Sequence, residues 1–174
     1  MSLESVWAVT WPLMSVRIVQ FFSINLLGLL SNEPIAISSC IGSHAPTPIF
    51  TDGALSRRVP FDVLAAQLGT SEQEEARAYL KAFLEDFVTK WRKDLNQYIN
   101  VPKSYCQLSA KHDQVVPLYS MKNLWKLFSE NKNIVSNLEW IDGGHVSSFV
   151  LHKATFVKTI VKSFEMLDKV LKSQ

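Results

Sequence analysis

The fold is decided by residues 138–149, which read L-E-W-I-D-G-G-H-V-S-S-F. A short apolar run, Trp140 and Ile141, stops at Asp142, and two glycines then precede His145. The residues after the histidine have the periodicity of a helix. This pattern predicts a strand that ends in a sharp turn and leads into a helix, because glycine permits backbone conformations that other residues avoid. Such a turn would hold the His145 imidazole at the edge of a sheet.

The same turn also has a purely structural interpretation. The chain contains four histidines, and Gly-Gly-His is a short motif that occurs without any catalytic role. The other three histidines are interpreted as structural: His44 as a loop residue, His152 as a helix-surface residue and His112 as a neighbour of Asp113. We expect Ser147 and Ser148 to help start the last helix, because serine is favoured there.

The composition indicates a folded globular chain. The 174 residues are 47% hydrophobic and 20% charged, with a net charge of +2. The basic residues are scattered, which predicts no nucleic-acid partner. Lysines crowd the last third of the chain, where they indicate either the solvated face of a terminal helix or contact with an anionic membrane surface. They are Lys153, Lys158, Lys162, Lys169 and Lys172.

Two cysteines, Cys40 and Cys106, each lie within an apolar run. A free thiol in such a run behaves as a small core hydrophobe. The sequence contains no C-x-x-C pair and no Cys/His spacing typical of zinc sites. We therefore predict no metal site, no disulfide framework and no cofactor.

Predicted strands and helices alternate along the chain. The strands are expected at 6–10, 34–41, 105–110 and 138–141, and the helices at 16–30, at 70–98, after Pro117 and from about Phe149. Such alternation predicts an α/β fold with about four mostly parallel strands and flanking helices. The segment between 42 and 60, which contains three prolines, is expected to be irregular.

Two of the predicted helices carry marked apolar stripes. The helix at 70–98, with Ser71 and Glu74 in the pattern of a capping box, has an aromatic stripe that either packs on the core or covers an apolar pocket as a lid. The last helix has its apolar residues at helical spacing. They are Ala154, Val157, Ile160, Val161, Phe164, Leu167 and Leu171.

The first thirty residues admit two interpretations. Arg17 precedes an apolar stretch at 18–30, which suggests a signal or anchor segment. That stretch is short for a membrane span, so a core helix is the favoured interpretation.

Asp113 and His145 follow two successive predicted strands. Because the carboxyl ends of parallel strands meet at one edge of a sheet, we expect both side chains there. A carboxylate that reaches an imidazole fixes its tautomer and stabilises the imidazolium formed when the ring accepts a proton. The alternative is that Asp113 only caps the following helix or remains solvated in its turn.

Three segments resemble a known family. The runs S-A-K-H-D-Q-V-V-P at 109–117 and L-E-W-I-D-G-G-H-V-S-S at 138–148 resemble the carboxyl-terminal part of the α/β-hydrolase superfamily, in particular the α/β-hydrolase domain-containing protein 18 family. The run C-I-G-S-H-A-P-T-P-I-F-T-D-G-A-L-S at 40–56 is similar to the segment of that family after strand six. The resemblance covers roughly 33–174.

The resemblance implies a partial α/β-hydrolase domain at 33–174, with a lid-like insertion at about 43–100. It also implies that Asp113 is the triad acid and His145 the general base. The implied substrates are carboxylic or lipid esters, among them phospholipids at mitochondrial membranes, and the implied location is intracellular and mitochondrial.

The nucleophile of these hydrolases does not carry over. They present serine in G-x-S-x-G on a strained turn, and that motif occurs nowhere in the sequence. Ser15 follows the predicted strand 6–10 but lacks both glycines, so it is only a weak candidate. A complete hydrolase sheet has about eight strands, whereas only about four are predicted in this sequence, so the earlier part of the fold is missing. We therefore interpret 1–32 as divergent, or as the product of an alternative start or a shifted reading frame.

Three functions remain open. The chain is either a member of an ester-hydrolase family that is inactive alone, or a non-catalytic fragment that acts as an interaction module. The latter would associate with a partner or with itself through an exposed sheet edge. The third possibility is a membrane-anchored domain, with residues 14–30 as the anchor. The expected partners are a lipid or small ester substrate, a peripheral membrane contact and a second copy of the chain.

Overall fold

A computed structural model of the protein describes residues 31–98 and 101–173, and for 86–98 it describes the backbone only. The predicted strand 6–10, the predicted helix 16–30 and Ser15 lie outside the described residues. Nothing in the structure tests the domain division proposed for 1–32 and 33–174.

The described residues form one parallel sheet with the strand order β1-β2-β3. Its strands are β1 (Ile35–Cys40), β2 (Lys103–Ala110) and β3 (Ile134–Ile141). The α/β fold class is confirmed, and three of the four predicted strands are present in it. The second and third begin earlier than the sequence pattern indicates, because the paired part of each strand extends beyond its apolar run.

Six α-helices surround this sheet in the part of the chain that the structure describes. They are α1 (Thr47–Thr51), α2 (Phe61–Leu68), α3 (Gln73–Tyr98), α4 (Leu118–Ser129), α5 (His145–Leu151) and α6 (Lys153–Lys172). A 3-10 helix, Ala54–Arg58, follows α1.

The segment 42–60 is not irregular as predicted, because short helical turns occupy much of it. Pro46 and Pro60 stand immediately before α1 and α2, where the fixed φ of proline suits a helix start. The last helix is also divided: α5 ends at Leu151, and α6 begins after His152.

Both faces of the sheet are covered, and the central strand β2 is therefore almost completely buried. On one face, the Tyr105 ring stacks on Phe128 of α4 with centroids 3.7 Å apart, and its hydroxyl donates a hydrogen bond to Gln107. On the other face, the Ser104 hydroxyl donates to the Ser163 carbonyl of α6 at 2.5 Å. The alternation of side chains along β2 therefore assigns one helix to each face.

Small polar side chains bring α6 close to the sheet. Ser38 of β1 donates a hydrogen bond to Ser163 at 2.8 Å, and Thr159 is also buried. Most of the predicted apolar stripe is exposed instead. The exposed members are Ala154, Val157, Ile160, Val161, Phe164 and Leu171. The residues that face the sheet are offset from this stripe by about a third of a turn.

The long helix α3 packs on α2 through its first turns. Ala76 is fully buried against Phe61, Leu64 and Ala65. Tyr79 and Phe83 remain more than half exposed, so these two aromatic residues are not core residues. Among residues 31–98 and 101–173, no helix is both long and apolar enough to cross a bilayer.

The stacking of Tyr105 on Phe128 predicts a clear mutational contrast. Phe128→Ala removes a fully buried ring from the core and is expected to lower the free energy of unfolding by about 3–5 kcal/mol. Phe83→Ala, at a site that is 55% exposed, is the control and should change it by about 0.5 kcal/mol or less. Urea unfolding measures both, and equal losses would contradict the assigned core.

Candidate active site

The loops after β2 and β3 are bonded to each other at the carboxyl edge of the sheet. The backbone N–H of Lys111 donates to the carbonyl of Ile141 at 3.0 Å, and that of His112 donates to Gly143 at 3.1 Å. Gly143 has a φ of +118°, which favours glycine, and a Cβ there would lie 2.9 Å from the Ser148 hydroxyl oxygen. The glycine in this turn is therefore required by both conformation and space.

Helix α5 begins at His145 itself, four residues earlier than the sequence pattern indicates. Ser147 supports this start, since its hydroxyl accepts a hydrogen bond from the Gly144 N–H at 2.8 Å. The Ser148 hydroxyl is buried and forms no hydrogen bond within the described part of the chain. Of the two serines, only Ser147 helps to start the helix by a side-chain hydrogen bond.

The carboxylate of Asp113 uses both of its oxygens. Oδ1 accepts hydrogen bonds from the N–H groups of Val115 and Val116, at 2.7 and 2.9 Å. Oδ2 lies 2.8 Å from Nδ1 of His145. Asp113 therefore contacts the imidazole and also closes the turn before α4, but it neither caps the helix itself nor remains solvated.

Burial separates the two partners. The Asp113 side chain is 1% exposed, whereas the His145 side chain is 28% exposed. An ionised carboxylate can only accept hydrogen bonds, so its contact with Nδ1 favours the His145 tautomer that carries the proton there. Nε2 then keeps its lone pair and can accept a proton from another group.

A more exposed set of contacts lies beside the pair. Lys111 Nζ is 3.0 Å from the Asp142 carboxylate, and this hydrogen bond holds the pKa of Asp142 below its usual value. His152 Nε2 lies 2.9 Å from the Asp142 carbonyl oxygen and so ties the α5–α6 junction to the turn. His112 is exposed in the loop between β2 and Asp113.

The structure also places together a set of polar residues that sequence reasoning missed. The buried Ser120 hydroxyl lies 2.8 Å from Nδ1 of His44 and 2.5 Å from the Ser43 hydroxyl. Ile41, which precedes them, has a φ of +56°, a rare conformation for a β-branched residue. The signal in the sequence was Gly-Ser-His directly after a strand, at the edge that also carries His145.

Within the described residues, no group of three or more His, Cys, Asp or Glu side chains could hold a metal ion. The two cysteines are free thiols. Cys106 is buried, and Cys40 is half-buried, with its pKa raised to about 11 by burial and by the neighbouring Cys106.

Three parallel strands, with an aspartate after one and a histidine after the next at the same edge, are consistent with part of an α/β-hydrolase fold. Residues 93–166 match the family model described as "Alpha/beta hydrolase domain containing 18". This match confirms the resemblance to the carboxyl-terminal part of that family, and it includes both Asp113 and His145. It does not extend over 40–56, where the resemblance stays a prediction. No curated protein and no solved structure matches the chain.

The geometry of Asp113 predicts a tautomer change in Asp113→Asn. The two backbone donors at Val115 and Val116 require an acceptor, so the asparagine carbonyl oxygen should face them and its NH₂ group should face His145. That NH₂ group donates to Nδ1, which moves the imidazole proton to Nε2. The ¹⁵N chemical shifts of the His145 ring should show protonated Nδ1 in the original chain and protonated Nε2 in the variant.

Asp142→Asn is the matched control, since Asp142 contacts Lys111 and not His145. It should leave the His145 tautomer unchanged. If the ring ¹⁵N shifts of His145 were identical in Asp113→Asn and in the original chain, the carboxylate would not orient this histidine.

Proposed function

We propose that this chain carries the acid–base part of an α/β-hydrolase site for ester cleavage, with Asp113 as the acid and His145 as the general base. The 2.8 Å contact between Asp113 Oδ2 and His145 Nδ1 carries the proposal. The family match over 93–166 supports it, because that range includes both residues. The substrate class implied by the family resemblance is a carboxylic ester, including lipid acyl esters.

During acyl transfer, the pair can first accept a proton and then return it. Nε2 of His145 takes the proton from an attacking hydroxyl as its oxygen forms a bond to the ester carbonyl carbon. The imidazolium, stabilised by the Asp113 carboxylate, then returns this proton to the leaving alkoxide as the ester bond breaks. Water repeats the sequence on the acyl intermediate and releases the carboxylic acid.

The hydroxyl nucleophile is the part that the sequence does not supply. No G-x-S-x-G occurs in the 174 residues, and the sequence around Ser15 reads W-P-L-M-S-V-R, with bulky residues where an elbow needs glycine. We therefore infer that this chain alone performs no covalent acyl transfer. Its acid and base would act only together with a nucleophile from elsewhere.

A fluorophosphonate probe tests this inference, because it labels serine only when an adjacent base activates the hydroxyl. The purified chain should show no labelling above that of a heat-denatured sample. Labelling that is present in the original chain and disappears in Ser15→Ala would overturn the inference and identify Ser15 as a working nucleophile.

A second candidate function, a non-catalytic interaction module, is favoured by a different observation. Among the described strands, β1 pairs with β2 only, so its other edge has no strand partner there. Such an edge offers backbone N–H and C=O groups to a further strand. A fragment that binds a second copy of itself or another protein would use this edge and need no nucleophile.

Size-exclusion chromatography with light scattering separates the two candidates. The interaction module predicts a dimer that dissociates in Ala36→Pro. Because the Ile41 N–H donates to β2, the N–H groups of the even-numbered residues of β1 face the free edge, and proline at Ala36 removes one of these donors. The matched control is Gln73→Pro at the exposed first position of α3, where proline is tolerated and the β1 edge is not affected. A monomer at all concentrations would count against self-association through β1.

A further inference from the structure

We propose that the outer surface of α5 and α6 docks this chain on an anionic lipid bilayer. The surface consists of six apolar side chains that are each at least 60% exposed. They are Val146, Phe149, Val150, Leu151, Val157 and Phe164, called here the docking surface. This inference concerns binding and is independent of the proposed acid–base role.

The docking surface is continuous across the two helices. Phe149 of α5 packs against Phe156 of α6 with ring centroids 4.6 Å apart, although Phe149 itself remains 60% exposed. On α6, Val157 and Phe164 are seven residues apart and so lie on the same side of the helix. Ile160 and Val161, both more than 40% exposed, fill the turn between them.

This surface is too apolar to be explained as a solvated helix face. Four of the seven residues of α5 are apolar and exposed, and only Ser148 of that helix is buried. Contiguous apolar surface of this kind marks contact with another protein, a ligand or a membrane. The charges around it decide among these.

The charged residues of α6 are mostly cationic. Between 153 and 172 the sequence carries five lysines against two carboxylates, Glu165 and Asp168. One of the two, Asp168, lies 2.5 Å from Lys172 Nζ. Of the lysines, Lys162 is directed towards β3, where its Nζ donates to the Asn137 carboxamide oxygen at 2.8 Å.

The remaining lysines favour a lipid surface over a second copy of the chain. Lys153 stands at the amino-terminal end of the exposed stripe and Lys158 lies on its flank, and both residues are exposed. In a symmetric dimer, each cationic flank would approach its own copy and repel it. Against anionic lipid, the same side chains reach the headgroups while the apolar residues enter the interface.

The position of the docking surface relates it to the candidate active site. His145 is the first residue of α5, and its side chain is 28% exposed. Contact of α5 with a bilayer would therefore hold the Asp113–His145 pair beside the lipid surface. An ester substrate within the bilayer would reach this edge of the sheet without crossing bulk water.

Flotation of the full chain with lipid vesicles tests the proposal. Vesicles of phosphatidylcholine mixed with phosphatidylglycerol should bind the chain, and vesicles of phosphatidylcholine alone should bind it more weakly. Leu151→Glu and Phe164→Glu should each reduce partitioning into the mixed vesicles roughly tenfold or more, because each removes apolar burial. Lys158→Gln should reduce it about fivefold, since one lysine near an anionic surface contributes on that scale.

Val63→Glu on α2 is the matched control, because Val63 is 49% exposed but lies outside the docking surface. It should leave vesicle binding unchanged. Circular dichroism of each variant checks that the fold persists, and Leu151→Ser and Phe164→Ser replace any glutamate variant that fails to fold.

Two results would overturn the proposal. One is vesicle binding that does not respond to the changes at Leu151, Phe164 and Lys158, which would assign the contact to another part of the chain, residues 1–30 included. The other is a dimer, seen by light scattering, that dissociates in Phe164→Glu while the original chain does not bind vesicles. That result would show that a second copy of the chain, and not a bilayer, covers the docking surface. Loss of the Asp113–His145 tautomer effect would leave this inference unaffected.

Discussion

The carboxylate of Asp113 holds the candidate active site together because it binds two separate parts of the chain. One oxygen accepts from the N–H groups of Val115 and Val116 and closes the turn before α4. The other oxygen reaches His145 at the start of α5. Since the side chain is buried, replacement of Asp113 by an apolar residue would leave the two N–H groups without their acceptor, a costly arrangement. The turn and the histidine therefore depend on the same group.

This contact is available only because the sheet is parallel. In β2 and β3 the register pairs Ala110 with Ile141, so both strands end at the same level and their loops leave side by side. Hydrogen bonds from Lys111 and His112 to the β3 loop then fix the distance between the two loops. If β2 and β3 were antiparallel, Asp113 and His145 would lie at opposite ends of the two strands.

The chain combines the contact of Asp113 with His145 with an outer surface that its own described residues do not cover. The family match over 93–166 includes β2, β3 and the loops that carry the two residues. The exposed apolar residues of α5 and α6 have a different cause. Small side chains, Ser163 and Thr159, hold α6 against the sheet, and larger apolar ones project away from it. The acid–base pair and the docking surface thus share one helix start but rest on separate packing.

The sequence determined the strands β1 to β3, the parallel α/β class and the pair Asp113 and His145. These follow from local patterns: short apolar runs, glycines after the last strand, and the rule that loops after parallel strands meet. It did not reveal the contact of Ser120 with His44, the helical turns α1 and α2, or the division of the last helix at His152. Residues far apart in sequence make the first of these, and periodicity carries no information on such contacts.

Tertiary structure alone decided which side of α6 faces the sheet. The apolar stripe from Val157 to Phe164 has the spacing of a core-facing helix, yet it is exposed. Periodicity shows that a helix has an apolar side but does not show which side reaches the sheet. Close approach of the backbones does so here, through hydrogen bonds of Ser38 and Ser104 with Ser163. Sequence thus specified the helix and its apolar stripe, and packing against β1 and β2 determined that the stripe would face outwards.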